Sequence, residues 1–318
     1  MFNFAIIIPH KNIPDLLQRC LDSIPIRDDL QVIIVDDNSD PSIVDFQNFP
    51  GKNRPNTEVI LTKEGKGAGY ARNVGMKYAK GEWVLFADAD DFFCSDLTKK
   101  IDSYIKSTKN LVYFKTMCRD SENLKKTGNR QKLCDQYNKK QEEYTSNKID
   151  FLKTILSFGT PWGKLVRKQF LEDNNITFEE VPYSNDINWT TLLAIHCTEN
   201  SFAISNQTLY CLTDRDTSLY HTNNYKALAC RFSVFLRQAN LLYAHGYKEY
   251  ISFHVPFYVK KTRLLGFSKF LSFLHLVIKE NKEIPPVYII EKKLNLKKPY
   301  LYFLVQIIEQ MFRIPPRP

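Results

Sequence analysis

The sequence predicts an α/β fold, a mainly parallel sheet flanked by helices, with a helical, basic C-terminal extension. Three observations predict it. Short apolar runs alternate with helical patterns through residues 4–93. Those runs are apolar on both faces, as strands covered by helices on both sides must be. The basic charge is confined to the last third of the chain: residues 222–318 carry 16 Lys and Arg against 5 Asp and Glu, whereas residues 1–221 carry 28 against 30.

The elements follow in order. Ala5 to Ile8 is a first strand, stopped by Pro9. Leu16, Leu17, Cys20, Leu21 and Ile24 recur at helical spacing, with Asp15 placed to cap the helix. Gln31 to Val35 is a second strand that ends in Asp36-Asp37-Asn38-Ser39-Asp40, and Val59 to Leu61 is a third. Lys66-Gly67-Ala68-Gly69-Tyr70 opens a helix through Ala71, Val74, Met76 and Ala79, which Gly81 ends. Glu82 to Ala87 is a fourth strand and runs into Asp88-Ala89-Asp90-Asp91.

In open parallel sheets, ligands bind outside the carboxyl ends of the strands. Three polar clusters lie there, Pro9-His10-Lys11-Asn12, Asp36 to Asp40 and Asp88 to Asp91, and they are expected to converge. Taken alone, the last is also the sequence of a solvated acidic turn. Set at a buried strand tip, clustered carboxylates are costly without a positive partner. A hard divalent cation carrying a nucleotide diphosphate suits them.

Other classes are disfavoured. The seven cysteines are scattered and form no C-x-x-C pair, which argues against a zinc site or a disulfide framework. The start Phe4-Ala5-Ile6-Ile7-Ile8-Pro9 is too short for a signal-peptide core and lacks a basic lead, so a cytoplasmic protein is expected. Residues 119–147 are polar and rich in Lys, Asn and Gln, and are predicted to be an exposed insertion or loop. Order is expected to resume at Ile149 to Phe158 and at Pro161-Trp162-Gly163-Lys164-Leu165, with a helical pattern from about Tyr225.

Four motifs in series, Ile-Ile-Ile-Pro-His-Lys-Asn, Ile-Ile-Val-Asp-Asp-Asn-Ser, Gly-Ala-Gly-Tyr-Ala-Arg-Asn-Val-Gly and Trp-Val-Leu-Phe-Ala-Asp-Ala-Asp-Asp, span residues 4–93. In order and spacing the chain resembles the inverting family 2 glycosyltransferases of the GT-A fold. A weaker likeness runs through Trp162 to Asp186 and on to His221. The resemblance implies a catalytic domain over 1–221, with a nucleotide-binding half (1–93) and an acceptor-side half (94–221). It implies a nucleotide-diphosphate sugar donor, UDP in the first instance, a glycan or lipid-linked glycan acceptor, and a Mn2+ or Mg2+ cofactor.

It also implies roles. Pro9, Asp37, Gly67, Arg72 and Asp88 would bind the nucleotide, Asp37 through a base N–H and Asp88 through the ribose. Asp90 would hold the metal, with His221 as a further ligand. Asp91, Trp162 and Arg215 would lie near the diphosphate or the acceptor. The family carries a Glu-Asp pair where this chain has Asn185-Asp186. Asp186 is then the expected catalytic base, with a helix cap or first-turn acid as its structural alternative. The Asn in place of Glu is a departure on the acceptor side.

Two further readings stand beside this one. Sugar-phosphate nucleotidyl transfer expects a glycine-rich loop after the first strand, and Pro9-His10-Lys11-Asn12-Ile13-Pro14 contains no Gly. A degenerate homologue that binds nucleotide or glycan without turnover has the lost Glu in its favour and the intact Asp88, Asp90 and Asp186 against it.

In the extension, Leu264, Leu265, Phe267, Phe270, Leu271, Phe273, Leu274, Leu276 and Val277 lie among Lys260, Lys261, Arg263 and Lys269. A second set, Tyr300 to Ile308, follows Lys292-Lys293 and Lys297-Lys298. Neither run reaches the ~18 residues of a membrane span. Contact with an anionic membrane surface, placing the protein on the inner face, packing on the catalytic domain, and a subunit contact are all compatible with the pattern. Nucleic acid is not expected, because no recognition motif accompanies the charge.

Overall fold

The computed structural model of the chain describes residues 2–215, 222, 224–251 and 255–280. The chain divides into two compact units between Thr222 and Asn223.

The first unit contains β1 (Phe4–His10), α1 (Pro14–Asp22), β2 (Leu30–Asp37), β3 (Thr57–Thr62), α2 (Ala68–Tyr78), β4 (Trp83–Phe86), β5 (Phe92–Phe93), α3 (Leu97–Asp102), β6 (Leu111–Asp120), α4 (Gln131–Thr145), α5 (Phe151–Ser157), β7 (Lys164–Arg167), α6 (Lys168–Asp173), α7 (Ile187–His196) and β8 (Phe202–Asp214). Its eight strands form one mixed sheet in the order β3-β2-β1-β4-β7-β6-β8-β5.

β1 to β4 run parallel, as the apolar runs predict. Ile6, Ile7 and Ile8 of β1 and Val32, Ile33, Ile34 and Val35 of β2 are all fully buried. Each such side chain contributes about 1.5–3 kcal/mol of burial. β1 pairs with β2 from Phe4 opposite Leu30 to His10 opposite Asp36, and with β4 from Phe4 opposite Trp83 to Ile7 opposite Phe86. The chain therefore leaves β1 in one direction to build β2 and β3, then returns to its other side as β4. This reversal opens a crevice at the carboxyl ends of β1 and β4. β7 then pairs antiparallel to both β4 and β6, and β8 runs parallel to β6.

Two local expectations are corrected. Asp15 does not cap α1: the N-cap position is Ile13 without a side-chain bond, and Pro14 opens the helix, where its missing N–H costs nothing. The segment 119–147 is not a structureless loop. It contains the 15-residue helix α4, whose amides serve the edge of β6. β7 pairs only with Leu111 to Tyr113. Beyond that point Gln141 donates to Phe114 O at 3.1 Å, Asn138 exchanges two hydrogen bonds with Thr116, and Gln131 accepts from the Cys118 amide at 2.7 Å. Side chains thus take over where a strand partner ends.

The second unit contains α8 (Tyr225–Ala244), α9 (Val255–Leu264) and α10 (Phe267–Glu280). Asn224 caps α8 by accepting from the Ala227 amide at 2.9 Å. No described helix is long and apolar enough to cross a membrane.

Candidate active site

The three strand-end clusters do share one edge of the sheet. At the β1 and β2 tips, Asp36 is buried and accepts from His10 Nδ1 at 2.7 Å. The Ile13 amide donates to His10 Nε2 at 3.2 Å, which leaves Nδ1 as the ring nitrogen that donates to Asp36. Asp36 also accepts from the Ser39 amide and hydroxyl. Burial pushes its carboxyl up, but the bonds from His10 and Ser39 outweigh that and hold it below the usual range. Asp36 thereby fixes the turn through Asn38 and leaves the next residue, Asp37, at the crevice.

Asp37 is nearly fully buried. Its Oδ2 accepts from the Gly67 amide at 2.8 Å, with Lys11 Nζ 3.6 Å away. Its Oδ1 is buried and has no hydrogen-bond partner. A buried carboxylate oxygen without a donor is costly in isolation, and a ligand N–H would satisfy it. Gly67 adopts φ +95° at the N-cap of α2, a conformation suited to glycine, and this turns its amide toward Asp37.

Asp88, Asp90 and Asp91 lie on the turn from β4 to β5, and their ligand atoms fall within 4.8 Å of one another. The three are held differently. Asp91 is buried, with Oδ1 accepting from the Thr213 amide at 2.6 Å and Oδ2 from the Tyr210 hydroxyl at 2.9 Å. The same Tyr210 oxygen accepts from the Asp88 amide at 2.8 Å. Arg19 donates to the Asp90 carbonyl at 2.6 Å, and the Thr213 hydroxyl donates there too. Arg215 Nε donates to Asp90 Oδ2 at 2.9 Å. Burial, then the charge of Asp88, raises the Asp90 carboxyl, partly offset by Arg215. Asp91 is raised well above its ordinary value by burial and by Asp90 and Asp88. Burial, Asp91 and Asp88 also push the Tyr210 phenol up, so it stays protonated and donates.

This donor set fits a hard divalent cation. Mutual repulsion among recessed carboxylates is what such an ion relieves, and Asp90 would supply the ligand, with Asp88 beside it. Asp91 has both oxygens engaged by Tyr210 and Thr213 and would act from behind, by fixing the turn.

Arg72 connects this cluster to the other wall. It projects from the first half of α2, nearly fully buried, and donates to Asp88 Oδ1 at 2.6 Å and to Asn185 Oδ1 at 2.8 Å. Its guanidinium lies over Phe178, 5.3 Å from the ring centroid. Phe178 stacks on Trp189 of α7 at 4.7 Å, and Phe86 meets both rings edge-on. Asn73 clamps the Phe178 backbone with two 2.9 Å bonds. At Gly69 any Cβ would sit 2.1 Å from Glu179 O, so only glycine lets the 178–185 segment approach α2 this closely.

Asp186 follows Asn185, at the N-cap position of α7, but makes no side-chain capping bond. Asp186 thus holds the N-cap position that the structural alternative assigned to it, without the capping hydrogen bond. Desolvation in the recess, with a contribution from Asp88, raises its carboxyl, while Arg72 and Lys164 oppose this. A carboxylate held in this way is stronger as a base than an exposed one.

Trp162 is buried, stacked on Tyr210 at 5.5 Å and edge-on to Phe158 at 5.4 Å. It supports Tyr210 from behind and presents almost no surface to a substrate. Pro9 is buried within β1, opposite Val35. His221 lies outside the described residues. Sequence reasoning missed Arg19, Asn73, Tyr210 and Thr213. A signal existed for the last two: Leu209 to Leu212 is an apolar run ending in Thr213-Asp214, the same pattern that marks the tips of β2 and β4.

The model of the glycosyl transferase family 2 matches residues 5–174, more than half of the chain. The chain belongs to this family. The matched residues include Arg72 and the Asp88 to Asp91 turn, and Arg72 links that turn to Asn185, which precedes Asp186. A poly(ribitol-phosphate) beta-glucosyltransferase of Bacillus spizizenii is 31% identical over 180 residues, covering 55% of this chain and 26% of that protein. The poly(ribitol-phosphate) beta-N-acetylglucosaminyltransferase TarS of Staphylococcus aureus is 25% identical over 221 residues, 68% of this chain and 36% of its own length. The chain thus spans roughly a quarter to a third of these two relatives. The crystal structure of S. aureus TarS 1-349 superposes with a TM-score of 0.66 at 20% identity, covering 97% of this chain and 88% of that one. That likeness establishes the fold, which is the GT-A type implied by the sequence motifs.

Proposed function

We propose that the chain is an inverting transferase that moves a sugar from a UDP-sugar to a hydroxyl of a glycan or lipid-linked glycan in surface-polysaccharide synthesis. The observation that carries this is the bridge Asp88–Arg72–Asn185, which joins a three-carboxylate cluster to an uncapped, recessed Asp186. Support for the donor comes from TarS, which has been crystallised with UDP-GlcNAc and with UDP. The names of the ribitol-phosphate relatives support a surface polymer as acceptor.

On this reading Asp37 Oδ1 accepts the base N–H and Asp88 holds the ribose. Asp186 removes the proton of the acceptor hydroxyl as that oxygen attacks the anomeric carbon from the face opposite the leaving nucleotide. The bond from the anomeric carbon to the diphosphate oxygen breaks as the new bond forms, and configuration inverts. Mn2+ or Mg2+ held by Asp90 would supply Lewis-acid neutralisation of the leaving diphosphate. Arg215, already on Asp90, adds positive charge at the same place.

The test is turnover of UDP-, GDP-, CDP- and dTDP-sugars, with Mn2+ and with EDTA, by the wild type and by Asp90→Ala and Asp186→Asn. Metal-dependent release of UDP, lost in Asp90→Ala and reduced in Asp186→Asn, supports the proposal. Nucleotide binding without turnover of any donor, with polymer acceptors present, points to the degenerate binding homologue instead.

A further inference from the structure

In the second unit, three aromatic side chains close the space between the helices. Phe232 of α8 packs edge-on against Tyr258 of α9 at 5.2 Å and Phe273 of α10 at 4.6 Å, and Tyr258 stacks on Phe273 at 6.3 Å. All three are buried. Thr262 on the same face of α9 is fully buried, its hydroxyl bonded to Tyr258 O. The inward faces of α9 and α10 are therefore occupied.

The turn joining these helices is apolar on its outer side as well. Leu264 and Phe267 are each 73% exposed, Leu265 43% and Leu271 46%. Of the nine exposed large hydrophobic residues described, these four fall within eight consecutive positions. Phe267 and Leu271 are one helical turn apart on α10 and so share a face. Isolated exposed apolar residues need no explanation, whereas a contiguous group marks an interaction surface.

The charge around this group is of one sign. Residues 255–279 contain Lys260, Lys261, Arg263, Lys269 and Lys279, and no Asp or Glu. Lys260, Arg263 and Lys269 are exposed. Bare leucine and phenylalanine side chains rimmed by cations complement a surface whose outer layer is anionic and whose interior is hydrocarbon.

We propose that the α9–α10 turn is a membrane-docking site: Leu264, Leu265, Phe267 and Leu271 enter the acyl boundary, and Lys260, Arg263 and Lys269 engage anionic phospholipid headgroups. The proposal stands on the second unit alone and is independent of the reaction assigned to the first. Residues 255–279 carry five of the sixteen Lys and Arg found in residues 222–318.

The test is sedimentation of the full chain with vesicles of phosphatidylcholine alone and of phosphatidylcholine mixed with anionic phosphatidylglycerol. Leu264→Glu/Phe267→Glu and Lys260→Glu/Arg263→Glu are compared with the wild type, after circular dichroism shows equal helix content. The wild type is expected on the anionic vesicles only, with each removed cation lowering partition about fivefold. The leucine-phenylalanine variant is expected to lose retention even at low salt. Failure of the wild type to sediment, or equal retention of wild type and Leu264→Glu/Phe267→Glu, overturns the proposal. A dimer in analytical ultracentrifugation that Leu264→Glu/Phe267→Glu converts to monomer, without vesicle binding by the wild type, overturns it in favour of a second copy as the occupant. The charge-reversal pair keeps the test decisive if the apolar variant fails to fold.

Discussion

Arg72 donates to Asn185 at 2.8 Å while its other terminal nitrogen holds Asp88 at 2.6 Å. One buried guanidinium therefore spans the donor-side carboxylates and the residue that precedes the proposed base. Asn185, where the sequence resemblance implies Glu, supplies the acceptor oxygen this contact requires.

Asn185→Ala is expected to lower kcat about tenfold with little change in donor KM, because it leaves an Arg72 N–H buried and unpaired and frees the 178–186 segment. Asn185→Glu keeps the acceptor and is expected to stay within a few-fold of wild type. Arg72→Lys should not rescue Arg72→Ala, since one ammonium cannot hold two divergent acceptors in a plane. Steady-state kinetics on these variants check the bridge.

Asp186→Asn is expected to reduce kcat by about 10²–10⁴-fold, the range for loss of a general base, with nucleotide affinity retained. Burial and Asp88 raise the Asp186 carboxyl. The base must be ionised, so activity should rise with pH through a value above the ordinary ~3.9 of an aspartate. The sign for stability is opposite. A carboxyl raised on folding stabilises the protein below its unfolded pKa, and that contribution is lost as pH rises through the folded value. Asp186→Asn should therefore melt at or above the wild-type temperature at neutral pH while losing activity. A pH–rate profile and thermal melts read both.

Tyr210→Phe removes the hydroxyl that donates to Asp91 and accepts from the Asp88 amide. A buried carboxylate oxygen and a backbone N–H are then left unpaired, at a cost of about 1–3 kcal/mol. The variant is expected to melt lower and to require more Mn2+ for half-maximal turnover. Wild-type metal dependence in this variant would show that Tyr210 does not position the carboxylate turn.

Gly69→Ala places a methyl group 2.1 Å from Glu179 O, a backbone atom that cannot swing away. Either α2 or the 178–185 segment must move, at a typical overpacking cost of about 1–3 kcal/mol. Because that segment leads into Asp186, kcat should fall more than donor affinity does. Calorimetry and kinetics together separate the two effects.

The half of the site built on β1, β2 and β4 was legible because each strand is an unbroken apolar run that ends abruptly in carboxylates, so strand, edge and charge are all written locally. The other half is written in a different alphabet. Gln131, Cys134, Asn138 and Gln141 follow a 3-4-3 helical spacing, but three of the four are amides that serve the β6 edge, so hydrophobic periodicity reads the stretch as loop. Arg19 meets the Asp90 carbonyl from 71 positions away, and Tyr210 meets Asp91 from 119, contacts that no local pattern encodes. Trp162 was legible as important but not as to why: it backs Tyr210, which in turn holds Asp91.

The most direct test of the account is calorimetric titration of UDP, CDP, GDP and dTDP into the wild type, Asp37→Asn and Asp186→Asn in the presence of Mn2+. The buried, unpartnered Asp37 Oδ1 calls for a base N–H. Uridine and thymidine carry a ring N–H at the base edge where cytidine has an acceptor. UDP is expected to bind much more tightly than CDP, Asp37→Asn to weaken UDP by tenfold or more, about 1.4 kcal/mol, and Asp186→Asn to leave it unchanged. Equal binding of UDP and CDP, or UDP affinity untouched by Asp37→Asn, would contradict it.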